Sequence, residues 1–282
     1  MAVPGHYRCQ APARRRPTSR RTRRIFLNMS DARQGRRPSG IRPVTIETGV
    51  MKYAEGSALI KQGDTHVLVS ASIEDRLPYF AREAGHGWVS AEYAMLPRAT
   101  LSRKPRESST GRVSGRTQEI QRLIGRSLRS VIDLKALGER MIWLDCDVLQ
   151  ADGGTRTASI TAAFVAAALA LDKLVAAKQL PRSPLSDFVA AVSVGVVDDR
   201  PELDLAYEQD VRAKVDMNVV MTAAGQAVEV QGTGEQSPFS FDELEALLGL
   251  AKRGIKDLIE VQREALGPAA ARVGHAADSR DA

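Results

Sequence analysis

One stretch limits the possible architectures more than any other. From Ile160 to Leu171 the chain reads Ile-Thr-Ala-Ala-Phe-Val-Ala-Ala-Ala-Leu-Ala-Leu, Ala-rich and almost without a polar side. A helix that is apolar all round is buried all round. This helix, opening after Gly154 and running to about Leu174, therefore needs covering layers on every side. The apolar run falls short of the roughly 18–20 residues that a bilayer crossing takes, so the pattern predicts a central core helix. With 282 residues, 43% of them hydrophobic, the chain can supply those layers.

The flanking segments predict what the layers are. Strand signals begin at Thr45. Ser57 to Lys61 and His66 to Ile73 are β-rich runs around the turn Gln62-Gly-Asp-Thr65, a hairpin pattern. Met141 to Leu149 and Val189 to Val197 read as further strands, and Met217 to Thr222 with Gln226 to Gln231 as a second hairpin. Thr117 to Leu137 reads as one amphipathic helix, with Ile120, Leu123, Ile124, Leu128, Val131 and Ile132 as its apolar stripe. A last helix spans Phe241 to Ala265, opened by the capping pair Ser240 and Glu243. Hairpins, then helices, then hairpins again predict an α+β fold rather than a doubly wound sheet. A single folded domain is expected over 35–267, between a disordered Arg-rich arm (1–34) and a disordered tail (268–282).

The net charge of +6 is unevenly placed. Residues 1–28 hold eight arginines and no acid; without them the chain carries 32 basic against 34 acidic residues. Arg98 to Ser130 concentrates nine basic residues against Glu107 and Glu119. A localised patch of this kind implies a polyanionic partner. The arm has three readings: an extra segment ahead of a start at Met29, a transit peptide, or a non-specific RNA-binding arm. Cys9 and Cys146 are far apart, and Cys146 in its apolar run reads as a buried thiol. The four histidines lack metal-ligand spacing. Thiol, zinc and Ser/His/Asp chemistry are all disfavoured.

The segment with most chemistry is Asp152-Gly-Gly-Thr-Arg-Thr. Two glycines let backbone N–H groups converge on an anion. The helix start that follows adds free N–H groups and a favourable dipole. Thr155 can donate a hydroxyl, and Arg156 can grip two phosphate oxygens. Gly154, Thr155 and Arg156 thus form a candidate phosphate cradle; the alternative is a plain Gly-Gly turn with a surface arginine. Arg116 opens another helix, an unfavourable place for a cation unless an anion lies beside it. A phosphate shared by Arg116 and Arg156 would explain both. Asp210 and Asp216 bracket Val-Arg-Ala-Lys-Val and suit a divalent ion or general-acid work, or else simply face solvent. Arg98, Arg103 and Arg106 lie in a Gly-containing basic loop, expected to be mobile, that fits an RNA backbone. Tyr79 and Phe80 are candidates for base stacking or for core packing, and Trp88 and Tyr93 read as core.

Taken together, these residues resemble the ribonuclease PH family. The resemblance runs from about Gly35 to Leu266. It is carried by Ala91-Glu-Tyr-Ala-Met-Leu-Pro-Arg-Ala-Thr100, Gly115-Arg-Thr-Gln-Glu-Ile-Gln-Arg-Leu-Ile124, Leu144-Asp-Cys-Asp-Val-Leu-Gln-Ala-Asp-Gly-Gly-Thr-Arg156, Asp216-Met-Asn-Val-Val-Met-Thr222 and Glu229-Val-Gln-Gly-Thr233. It implies duplicated β-α-β units with a left-handed crossover, and a ring-shaped homohexamer built as a trimer of dimers. It implies a reversible reaction in which inorganic phosphate attacks the 3′-terminal phosphodiester of RNA, above all of tRNA precursors, and releases a nucleoside 5′-diphosphate. It assigns phosphate to Arg116, Gly154, Thr155 and Arg156, Mg²⁺ and catalysis to Asp210 and Asp216, and tRNA to Arg98, Arg103 and Arg106, often reaching in from a neighbouring subunit. A cytoplasmic location, with no membrane partner, is expected. Tyr53 departs from a frequent histidine, and the N-terminal arm is unusual. A non-catalytic RNA-binding ring subunit would lack the phosphate and acidic residues, both of which this chain keeps.

Overall fold

In the computed structural model, residues 39–274 are described. The expected arm over 1–34, Cys9, and the tail beyond 274 lie outside the described residues. The all-round apolar helix, α4 (Thr155–Ala176), sits where its composition demands. It packs on β2 (Gly56–Gln62) and β3 (Thr65–Glu74) of one sheet and on β6 (Val189–Val197) of another. Ile160, Phe164 and Leu171 are fully buried there. Its alanines let the backbone of β2 come close: a Cβ at Gly56 would collide with the Ala166 carbonyl oxygen. By length and composition α4 could cross a membrane, yet most of it is buried inside the fold.

The first sheet has the order β1 (Val44–Thr48), β2, β3, β5 (Met141–Gln150), β4 (Trp88–Met95). Its hairpin β2–β3 turns through Gly63 and Asp64, with Gln62 paired to Thr65 and Gly63 at φ 56°. Only β4 and β5 run parallel. A parallel pair needs a crossover, and the crossover carries α2 (Gly115–Arg129), which packs on β4. The short α1 (Tyr79–Glu83) precedes β4, and the short α3 (Leu134–Leu137) precedes β5. The second sheet, β7 (Arg200–Leu203), β6, β8 (Val215–Thr222), β9 (Ala227–Gly234), is antiparallel throughout. Between β7 and β8 lies α5 (Tyr207–Arg212), and α6 (Phe241–Leu266) covers β6 and β7. Ser240 and Glu243 make the expected reciprocal cap at its start. Each half thus places a sheet ahead of a long helix, and both halves feed one continuous core.

Three expectations need correction. Thr117 to Leu137 is two helices. Val131 and Ile132 continue the apolar stripe, but the backbone from Val131 to Asp133 pairs elsewhere: Val131 O accepts from Ser186 N at 2.9 Å, and Asp133 N donates to Pro184 O at 2.8 Å. Asp133 then caps α3 through Lys135 N and Ala136 N. The tail does not begin at 268. Gly267–Arg272 forms a 3₁₀ helix whose Ala269 and Ala270 pack on the core, and Arg272 pairs with Asp172. Tyr79 and Phe80 are not core residues; they are 74% and 54% exposed, Phe80 edge-on to Trp88.

Candidate active site

The turn from β5 into α4 is shaped by two glycines in the left-handed region, Gly153 at φ 73° and Gly154 at φ 67°. A Cβ on Gly153 would meet the Leu205 carbonyl oxygen and the backbone of Ala206 and Tyr207, so this turn lies directly against the segment leading into α5. No side chain caps α4. The backbone N–H groups of Gly154, Thr155 and Arg156 have no acceptor among the described residues. Unpaired amides at the start of a long helix form an anion site by geometry and by dipole.

The side chains around this turn come from both halves. Thr155 Oγ1 lies 2.9 Å from the hydroxyl of Tyr93 on β4. Arg156 donates from Nη1 to Gln231 Oε1 at 3.0 Å and lies 3.5 Å from Glu119 Oε2. Gln231 Nε2 in turn donates to Glu119 Oε1 at 3.3 Å. Helix α2 and strand β9 therefore hold the guanidinium that α4 supplies. Arg116, exposed in the first turn of α2, acts electrostatically together with Arg156 on Tyr93, Asp210 and Asp216. The two arginines expected to share a phosphate thus act on the same three side chains.

The carboxylates meet them there. Burial raises the Asp210 carboxyl above its ordinary range, against the pull of Arg116 and Arg156. Asp216 is pushed up to about 6, first by burial and then by Asp210, with Arg156 opposing. A third carboxylate, Glu235, raises both; it follows β9, whose Thr233 pairs with Asp216. Among the described residues no three His, Cys, Asp or Glu side chains converge closely enough to cage a metal ion. Two mutually repelling carboxylates beside a candidate anion site still suit Mg²⁺, which binds through one or two carboxylates plus phosphate oxygens and water.

Arg98, Arg103 and Arg106 are not brought to this cluster. Arg98 donates to Leu101 O within its own loop at 2.7 Å, Arg103 is exposed, and Arg106 acts on Asp147 of β5. None of the three is among the charges that act on Asp210. Cys146 is a buried free thiol whose pKa is raised by burial, in keeping with a packing role. Four neighbours of the turn and the acidic pair were not picked out in the sequence: Tyr93, which is core as expected but whose hydroxyl also reaches Thr155, and Glu119, Gln231 and Glu235. The first three lie inside the motif blocks quoted above, so the blocks themselves were the signal. Glu235 stands just past the last block and carries none.

Models of the 3′ exoribonuclease family match residues 40–171 as domain 1 and 187–254 as domain 2. The chain belongs to the 3′ exoribonuclease family. Among curated exoribonucleases of this kind, Ribonuclease PH of Moorella thermoacetica is 61% identical over 240 residues, covering 85% of this chain and 96% of the relative. Ribonuclease PH of Bacillus subtilis is 56% identical over 236 residues, covering 83% and 96%. The fold is shared with more distantly similar proteins of known structure. Rice Rrp46 has a TM-score of 0.67 at 18% identity, covering 82% of this chain and 98% of that one. An RNA-bound exosome of Archaeoglobus fulgidus has a TM-score of 0.68 at 23% identity, covering 80% and 90%. The two family segments correspond to the two sheets with α4 and most of α6, so the exoribonuclease body is one core built from two halves.

Proposed function

We propose that this exoribonuclease uses inorganic phosphate to remove nucleotides one at a time from RNA 3′ ends, tRNA precursors first among them. The observation that carries this reading is the convergence of Arg116, Arg156 and the uncapped start of α4 beside Asp210 and Asp216.

Two anions must react, the phosphate nucleophile and the RNA phosphodiester. Arg116, Arg156 and the N–H groups of the turn hold the free phosphate and offset that repulsion. Thr155, its hydroxyl fixed by Tyr93, adds a directed hydrogen bond. An oxygen of the bound phosphate attacks the terminal phosphorus, and the bond to the 3′ oxygen of the preceding nucleotide breaks. With its carboxyl near 6, Asp216 is ionised for most of the time at neutral pH yet has a proton within reach, the condition for a general acid. It protonates the departing oxygen, directly or through one water. The products are a nucleoside 5′-diphosphate and an RNA one residue shorter. Asp210, or Asp216 while ionised, would hold Mg²⁺, which when bound would supply charge stabilisation for the reacting phosphoryl oxygens.

The same reading makes the protein a homohexamer in the cytoplasm. What supports association of copies is the placement of Arg98, Arg103 and Arg106 away from their own chain's acidic pair, where a neighbour's site could receive them. Incubating tRNA precursor with and without phosphate tests the chemistry. Nucleoside diphosphates formed only with phosphate are expected. Nucleoside monophosphates would mean hydrolysis, and tRNA binding without either product would mean a non-catalytic ring subunit.

A further inference from the structure

The phosphate turn is held from below by a buried ion pair that takes no part in the chemistry. Arg42 precedes β1 and is 6% exposed, and Asp204 follows β7 and is 0% exposed. Asp204 Oδ2 accepts from the Arg42 backbone N–H at 2.7 Å and from Nε at 2.9 Å, and Oδ1 accepts from Nη2 at 2.7 Å. Gln62 Nε2 adds a bond to Oδ1 at 2.8 Å. Asp204 reaches this position with φ 58°, in the left-handed region that costs a residue with a side chain.

The rest of the Arg42 fork is spent on the phosphate turn. Nη1 donates to Asp152 O and Nη2 to Gly153 O, the latter at 3.3 Å. Thr65, 0% exposed in β3, donates from Oγ1 to Gly153 O at 2.6 Å and accepts from Asp152 N at 2.9 Å. Successive peptides of a turn cannot face both ways. The C=O and N–H of one trans peptide point opposite ways, so tying the Asp152 and Gly153 carbonyls to Arg42 and Thr65 turns the Gly153 and Gly154 amides away from them, next to the Thr155 and Arg156 amides that open α4. The Asp152 carboxylate meanwhile accepts from Tyr207 N at 3.2 Å, at the start of the helix that carries Asp210.

We propose that Arg42 and Asp204, with Thr65, are positioning residues for phosphate: they orient the peptides of the Asp152–Gly154 turn and hold that turn in register with the helix bearing Asp210. The proposal rests on the phosphorolytic reading of the same site. Its consequence is selective, since the turn meets phosphate and not the body of the RNA.

The test is steady-state phosphorolysis of tRNA precursor by full-length Thr65→Val and Arg42→Lys chains, with phosphate varied, beside tRNA binding and thermal melting. Thr65→Val keeps the shape and removes both bonds to the turn. Arg42→Lys keeps the charge and loses the fork. Small misplacements of a binding group cost up to about 10² in rate. The KM for phosphate should rise about tenfold in each folded variant. The tRNA dissociation constant should stay within about twofold, and in the reverse reaction the KM for nucleoside diphosphate should rise in parallel. If Arg42→Lys does not fold, Thr65→Val decides. A folded Thr65→Val chain with the parental KM for phosphate overturns the proposal. Should the unmodified chain show no saturable dependence on phosphate, the phosphorolytic reading itself is what has failed.

Discussion

Replacing Asp216 by asparagine is expected to stabilise the fold while stopping the chemistry. The Asp216 carboxyl is raised from 3.8 to about 6, by burial first and by Asp210 second. The folded chain therefore holds this proton more tightly than the unfolded chain does. The stability gained from protonation is fully present below about pH 4 and is lost as pH rises through about 6. Each pKa unit corresponds to about 1.4 kcal/mol. A shift of about two units makes the ionised carboxylate cost up to about 3 kcal/mol at pH 8. Asparagine keeps the shape and removes the charge. In phosphate-free buffer with a chelator, Asp216→Asn should gain about 2–3 kcal/mol of unfolding free energy at pH 8 and little near pH 4. Urea denaturation at the two pH values measures the difference, and phosphorolysis should fall by roughly 10²–10⁴. Burial and repulsion by Asp210 act only on the charged form. A variant no more stable than its parent at pH 8, or stabilised equally at both pH values, refutes the reasoning.

Two further outcomes follow from the geometry. Arg156→Ala should lower phosphorolysis by roughly 10²–10³ with tRNA affinity little changed; equal losses in rate and binding, read by kinetics and a binding isotherm, would count against a phosphate role. A chain with Arg98, Arg103 and Arg106 all changed to alanine should bind tRNA weakly and with a smaller salt dependence. Mixing it with the inactive Asp216→Asn chain should restore activity, because intact loops would then serve intact acidic pairs on neighbouring subunits. No recovery in the mixed assembly would place the loop and the site in the same chain.

Much of the fold was legible because its causes are local. β-rich runs made β2, β3, β5, β6, β8 and β9 visible, and the all-round apolarity of α4 required a covering on every side. Ser240 with Glu243 marked the start of α6. The break between α2 and α3 was not legible, since Val131 and Ile132 keep the helical stripe while the backbone of Val131 and Asp133 pairs with Ser186 and Pro184, over fifty residues away. Strand β4 was missed as an element, and with it the reach of the Tyr93 hydroxyl to Thr155.

For the site the division is similar. The amino-acid order alone determined which groups could bind an anion: a Gly-Gly turn opening a helix, with arginines at two helix starts. It also supplied the acidic pair at 210 and 216. Only the tertiary structure decided that Arg116 and Arg156 share one place with those acids, that Asp216 is buried enough to hold a proton near neutrality, and that Glu119 and Gln231 steady Arg156. It alone joined Arg42 to Asp204 across 162 residues. The physical reason is that a residue's type sets what it can bind, whereas its pKa and aim depend on neighbours that the chain brings together only by folding.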